Sequence, residues 1–177
     1  MKAEPFSFSV PVRDIPREGR HFRLQADAQQ RGELAAALEI PGIEELRAEL
    51  NVRPALGGAF RVRGAMTAIV VQTDVVSLDP VQQEVAEEID VTLMQAEDVA
   101  PGRRPDKDLV DAAEVDGPDL FHHGRIDLGV IVREHLALGL DPYPKAPGSD
   151  FPGHVEDDPA SDPSPFAALA ALKTRGE

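Results

Sequence analysis

Hydrophobic and polar residues alternate along most of the first half of the chain, with the two-residue period of strands rather than the period of helices. The longest such run is 60–81, FRVRGAMTAIVVQTDVVSLDPV. Phe60, Val62, Met66, Ala68 and Val70 share one parity, and Arg61, Arg63 and Thr67 share the other. Ile69 and Val71 then make both faces apolar, which predicts a long strand, half-exposed at its start and buried at its end. Before it, Leu46, Ala48, Leu50 and Val52 alternate with Arg47, Glu49, Asn51 and Arg53. After it, Val85, Ile89, Val91 and Leu93 alternate with Ala86, Glu88, Asp90 and Thr92. Three consecutive half-buried strands of this kind predict an antiparallel meander. Shorter alternations at 6–12 and 22–26 predict two N-terminal strands, with a turn around 16–19 between them.

The loop 55–58, Ala-Leu-Gly-Gly, sets the register of the first long hairpin. Matching apolar to apolar positions leaves two solutions. A three-residue loop would oppose Glu49 to Arg63 and Asn51 to Arg61; a five-residue loop would place Arg53 against Arg61. Like charges directly opposite are unfavourable, so the first register is expected.

Two helices interrupt the strand pattern. Asp27 with Gln30 three residues later forms a capping box opening a helix over about 28–39, with Leu34 and Leu38 on one face and Pro41-Gly42 ending it. Asp127 caps the clearer one, 128–138. Ile126 and Ile131 can close over its first turn as a hydrophobic staple, and Leu128, Ile131, Val132, His135 and Leu136 form its apolar stripe. The expected fold is therefore α+β: an antiparallel, twisted sheet, or a sheet curled into a partial barrel, covered by the two helices. One domain is expected over 1–148, with a mobile acidic insertion at about 95–125. A tail, 149–177, is expected to be acidic and to end in a short amphipathic helix bearing Phe166, Leu169 and Leu172.

Charge changes the picture more than composition does. The net charge is −14, and it is unevenly spread. Residues 1–66 hold ten Lys/Arg against nine Asp/Glu, while 67–177 hold eight against twenty-three. A chain this acidic gains nothing from non-specific counterion release, so DNA is not an expected partner. No run reaches the length of a membrane span and the N-terminus lacks an apolar leader core, so a cytoplasmic protein away from membranes is expected. With no cysteine, disulfides, thiolate zinc sites and cysteine nucleophiles are excluded.

No constellation along the chain carries a reaction. There is no phosphate-binding loop, no dinucleotide fingerprint and no nucleophile elbow, and carboxylate pairs mean little in so acidic a sequence. No catalytic residue, metal site or cofactor is expected. His122-His123 reads as a solvated loop and His135 as a packed helix residue. Two features remain. Arg47, Arg53, Arg61 and Arg63 share the polar face of neighbouring strands and are candidate RNA-phosphate contacts, although the single Tyr and absent Trp offer little for base stacking. Asp74 interrupts an apolar run, where an unpaired buried charge would cost several kcal/mol, so an exposed bulge or strand break is expected there.

Three motifs together resemble the YceD family. The first is VQTDVVSLDPV at 71–81, containing Gln72, Asp74, Leu78 and Pro80. The second is IDLGVIVREHLALGLDPYPKAPG at 126–148, with Asp127, Leu128, Glu134, Leu136 and Leu138 followed by Pro142, Tyr143 and Pro144. The third is PFAALAALK at 165–173, similar to the tail of an alphaproteobacterial branch. One departure matters. Many members carry a cysteine where Asp74 stands and some carry Cys-x-x-Cys pairs, so no metal or redox role of such cysteines transfers here; the exchange also suggests a solvent-reachable position. The resemblance implies a cytoplasmic, non-enzymatic factor supporting accumulation of large-subunit ribosomal RNA. Its partner would be precursor RNA or a basic large-subunit ribosomal protein. The alternative is an unrelated interaction module or a small-molecule binder with a pocket between the Asp127 helix and the sheet.

Overall fold

In the computed structural model, which describes residues 5–96 and 119–149, the long alternating runs form one uninterrupted meander. The elements in order are β1 (Ser9–Pro11), β2 (Arg20–Gln25), α1 (Ala28–Ala37), β3 (Gly42–Pro54), β4 (Phe60–Thr73), β5 (Pro80–Gln95), β6 (Asp119–Phe121), β7 (Arg125–Asp127) and α2 (Leu128–Gly139). The main sheet runs β2-β3-β4-β5-β6. Its first four strands are antiparallel and β6 lies parallel to the end of β5. The sheet stays open, so the fold is α+β without barrel closure.

One face of the sheet carries Phe22, Leu24, Leu46, Leu50, Val62, Met66, Val70, Val85 and Ile89, all buried. Leu34 of α1 and Leu128, Val132 and Leu136 of α2 pack into the same core, each fully buried. Burying such a side chain stabilises the fold by about 1.5–3 kcal/mol, which is why the two-residue and 3.6-residue periods settle on one shared interior. β1 pairs with β7 in a separate two-stranded ribbon, so the N-terminal run does not join the main sheet. The second N-terminal run, β2, does.

Local sequence chemistry accounts for both helices. Asp27 accepts the Gln30 N–H at 2.9 Å and the Gln30 side chain accepts the Asp27 N–H at 3.0 Å, completing the capping box. Asp127 accepts from Gly129 N–H at 2.9 Å and Val130 N–H at 3.3 Å, with Ile126 and Ile131 both buried beneath that first turn. The same carboxylate accepts the Phe8 N–H at 2.9 Å, so the cap of α2 also pins the N-terminal segment.

Three expectations are corrected. The β3–β4 hairpin takes the other register: Arg53 pairs with Arg61 and Asn51 with Arg63, around a five-residue loop of 55–59. The reason lies on the third strand. Asp90 of β5 grips Arg61 through two hydrogen bonds of 2.7 and 2.9 Å and Arg63 through one of 3.0 Å, neutralising the like charges that the two-strand argument opposed. Gly57 and Gly58, at φ of 69° and 78°, supply the left-handed backbone the longer loop needs.

Second, part of the stretch expected to be a mobile acidic insertion, about 95–125, is sheet. Phe121 of β6 is buried edge-to-face on Phe60, with ring centroids 5.9 Å apart, and brings 119–121 alongside β5. The rest of that stretch, 97–118, and the tail at 150–177 lie outside the described residues.

Third, β4 does break at Asp74, as expected, but the residue is completely buried, not exposed.

Candidate functional site

The turn between β4 and β5 is built around the Asp74 carboxylate. One oxygen accepts the N–H groups of Val76 at 2.6 Å and Ser77 at 2.9 Å, closing the turn on itself. The other accepts the N–H of Ala146 at 2.6 Å, from the extended segment that follows α2. Burial of a charge is tolerable here because three backbone donors replace water. The turn backbone adds a fourth link, Val75 N–H to Pro144 O at 3.0 Å.

Two glutamines complete this junction. Gln72 Nε2 donates to Asp141 O at 2.9 Å. Gln83 donates to Gly139 O at 3.1 Å and accepts from Asp141 N–H at 3.2 Å, satisfying backbone groups at the end of α2 that the helix itself leaves unpaired. Asp141 in turn accepts the Tyr143 N–H at 2.8 Å. The first two family-like motifs are therefore one structure: Gln72 and Asp74 of the first hold the Pro142-Tyr143-Pro144 segment of the second.

Among the polar side chains of Ser77, Asp79, Asp141 and Lys145, this scaffold also presents apolar ones outward. Tyr143 is 76% exposed and Leu78 75% exposed, with Val75 partly exposed beside them in the turn. Leu78 sits at φ +65°, a left-handed conformation unfavourable for a branched aliphatic residue. Pro80 opens β5 immediately afterwards. Of the remaining motif residues, Asp127 caps α2 and Leu128 and Leu136 are fully buried, while Glu134 and Leu138 are exposed on the helix. Pattern reading missed Gln83, Asp141 and Val75, because their roles depend on a contact between segments about 60–70 residues apart that no local period encodes.

The four candidate arginines do share the outer face of the sheet, and three of them are paired with carboxylates. Arg47 pairs with Glu45 at 2.5 Å, and Arg61 and Arg63 converge on Asp90. Arg53 is exposed and, among the described residues, donates only to Asn51 Oδ1, at 3.4 Å. Nearby, Arg23 of β2 pairs with Glu49 at 3.1 Å. The Arg61 guanidinium, hydrogen-bonded to Asp90, holds that carboxyl below its ordinary range; Arg63 adds to this and partial burial opposes it. By contrast, Glu84, Glu87 and Glu88 of β5 have no ion-pair partner among the described residues.

The contact between α2 and the sheet is filled by Leu128, Val132 and Leu136. Beside it, a solvent-open groove of about 430 Å³ runs between α2 and the β6–β7 segment, bordered by Asp119, His122, Arg125, Val130 and Glu134. His122 and His123 are exposed, and His135 Nδ1 meets Ile131 O at 2.9 Å. Among the described residues, no helix is long and apolar enough to cross a membrane.

Residues 62–173 match the family model described as large ribosomal RNA subunit accumulation protein YceD. No curated protein and no solved structure matches the chain.

Proposed function

Because the chain belongs to the YceD family of large ribosomal RNA subunit accumulation proteins, we propose that it is a non-enzymatic assembly factor that binds a basic large-subunit ribosomal protein. The observation that carries this reading is the sorting of charge on the sheet. Arg23, Arg47, Arg61 and Arg63 each face a carboxylate, whereas among the described residues the carboxylates of Glu84, Glu87 and Glu88 on β5 have no cation paired with them. The overall charge of −14 extends that bias. A surface of this kind attracts a cationic partner, accelerates encounter and shields charge that would otherwise bind RNA prematurely. Direct binding of precursor RNA through the arginine face is the less favoured mode, since a net charge of −14 repels a polyanion and Arg23, Arg47, Arg61 and Arg63 already face carboxylates.

Depletion of the protein in growing cells tests the role. The ratio of large-subunit to small-subunit ribosomal RNA should fall and recover on re-expression. An unchanged ratio would count against it.

A further inference from the structure

We infer that the open edge of β5, along residues 80–92, is the docking site for an extended Lys/Arg-rich segment of a partner protein, which adds to the sheet as a further strand. The inference rests on the reading that this chain binds a basic protein, and deepens it by naming the surface and the mode.

β5 is the longest strand, 16 residues, and pairs with β4 along nearly its whole length. On its other side, among the described residues, only Leu93, Met94 and Gln95 are paired, with β6. Among the described residues, no backbone or side-chain hydrogen bond reaches the main-chain groups of 80–92 from that side. An unpaired strand of this length, about 40 Å, offers alternate N–H and C=O groups as a template for another strand.

Charge then selects the occupant. Glu84 and Glu88 lie on the outer face, separated by the small Ala86, and Glu87 lies on the opposite face at the end of α2, close to Gly139. Asp90 is held by Arg61 and Arg63, so the uncompensated charge is centred on 84–88. Two copies of this edge pairing together would bring carboxylates against carboxylates, which disfavours self-pairing through β5. A strand with Lys or Arg at alternate positions would instead set cations beside Glu84 and Glu88. Next to them the outer face dips into a depression of about 220 Å³, floored by Thr67, Ile69 and Ala86, which can take the aliphatic stem of such a side chain.

The test uses the full-length protein and a synthetic peptide of about twelve residues alternating Lys with Val or Thr, long enough to pair along the edge. Its control has the same charge but carries proline at every third position. Hydrogen exchange is followed across the whole chain at about 0.15 M salt. Alternate amides of 80–92 should slow at least about tenfold with the first peptide and not with the control. The double variant Glu84→Lys/Glu88→Lys should weaken peptide binding at least about tenfold with its melting temperature retained. Peptide binding without protection of these amides would overturn the inference, as would undiminished binding by the variant. Protection that appears without peptide and rises with protein concentration would overturn it in favour of a second copy docking through the arginine-bearing β2. Should a basic ribosomal protein be captured from cells while 80–92 stays unprotected, the site is wrong and the functional reading stands. Capture of no basic protein at all removes both.

Discussion

The Asp74 carboxylate accepts the N–H of Ala146 at 2.6 Å, across 72 residues of sequence, and so fastens the β4–β5 turn to the segment leaving α2. One buried anion thereby satisfies three backbone donors and sets the position of exposed Val75, Leu78 and Tyr143.

Asp74→Asn has only one acceptor oxygen for those three N–H groups, and turns an amide donor toward at least one of them. It should destabilise the protein by about 2 kcal/mol, and Asp74→Ala by about 3 kcal/mol or more, read from urea unfolding. Amides at 76, 77 and 146 should exchange faster in both variants. Equal stability of Asp74→Ala and the parent would contradict the buried-cap account.

The Asp90 triad makes a pH prediction. Its folded pKa is lowered by Arg61 and Arg63, so its contribution is fully present above the unfolded value and is lost as pH falls through the depressed folded value. Asp90→Asn should cost about 1 kcal/mol near neutrality, discounted for partial exposure. The gap between variant and parent should close as pH falls through that depressed folded value. A pH-independent gap would mean that the carboxylate's charge is not what matters.

Two glycines of equal standing in sequence should behave oppositely. A Cβ on Gly129 would lie 1.9 Å from Phe6 O, where the N-terminal segment crosses the first turn of α2. A Cβ on Gly32, on the exposed side of α1, would meet nothing within 4 Å. Gly129→Ala should therefore destabilise by about 2 kcal/mol, and Gly32→Ala should stabilise by about 1 kcal/mol, in thermal or urea unfolding.

Leu78 combines a left-handed backbone with 75% exposure, a choice that folding alone does not reward. Leu78→Gly should raise stability by about 1 kcal/mol in urea unfolding, because glycine adopts that backbone without strain. Unchanged or lower stability would mean that the left-handed backbone costs nothing at this position.

How much of this was legible beforehand follows from the range of the interactions. The capping box at Asp27 and the Asp127 cap with its Ile126–Ile131 staple are written within a few residues, and both were readable. So was the meander, because the two-residue period survives through β3, β4 and β5. The Arg53–Arg61 register was not, since the residue that decides between the two pairings, Asp90, stands on neither of the paired strands but on the third. Asp74 looked exposed because its donors come partly from Ala146, and a charge in an apolar run has no visible partner until the chain is folded. β6 escaped because it is three residues long and held by the Phe60–Phe121 contact rather than by any pattern.

The most direct test of the account is sucrose-gradient sedimentation of lysate from cells carrying a tagged full-length copy, with RNA and protein identified in each fraction. The account predicts co-migration with immature large-subunit particles or with a free basic large-subunit protein, lost in Glu84→Lys/Glu88→Lys. Migration as a free protein in both parent and variant, at low and moderate salt alike, would contradict it.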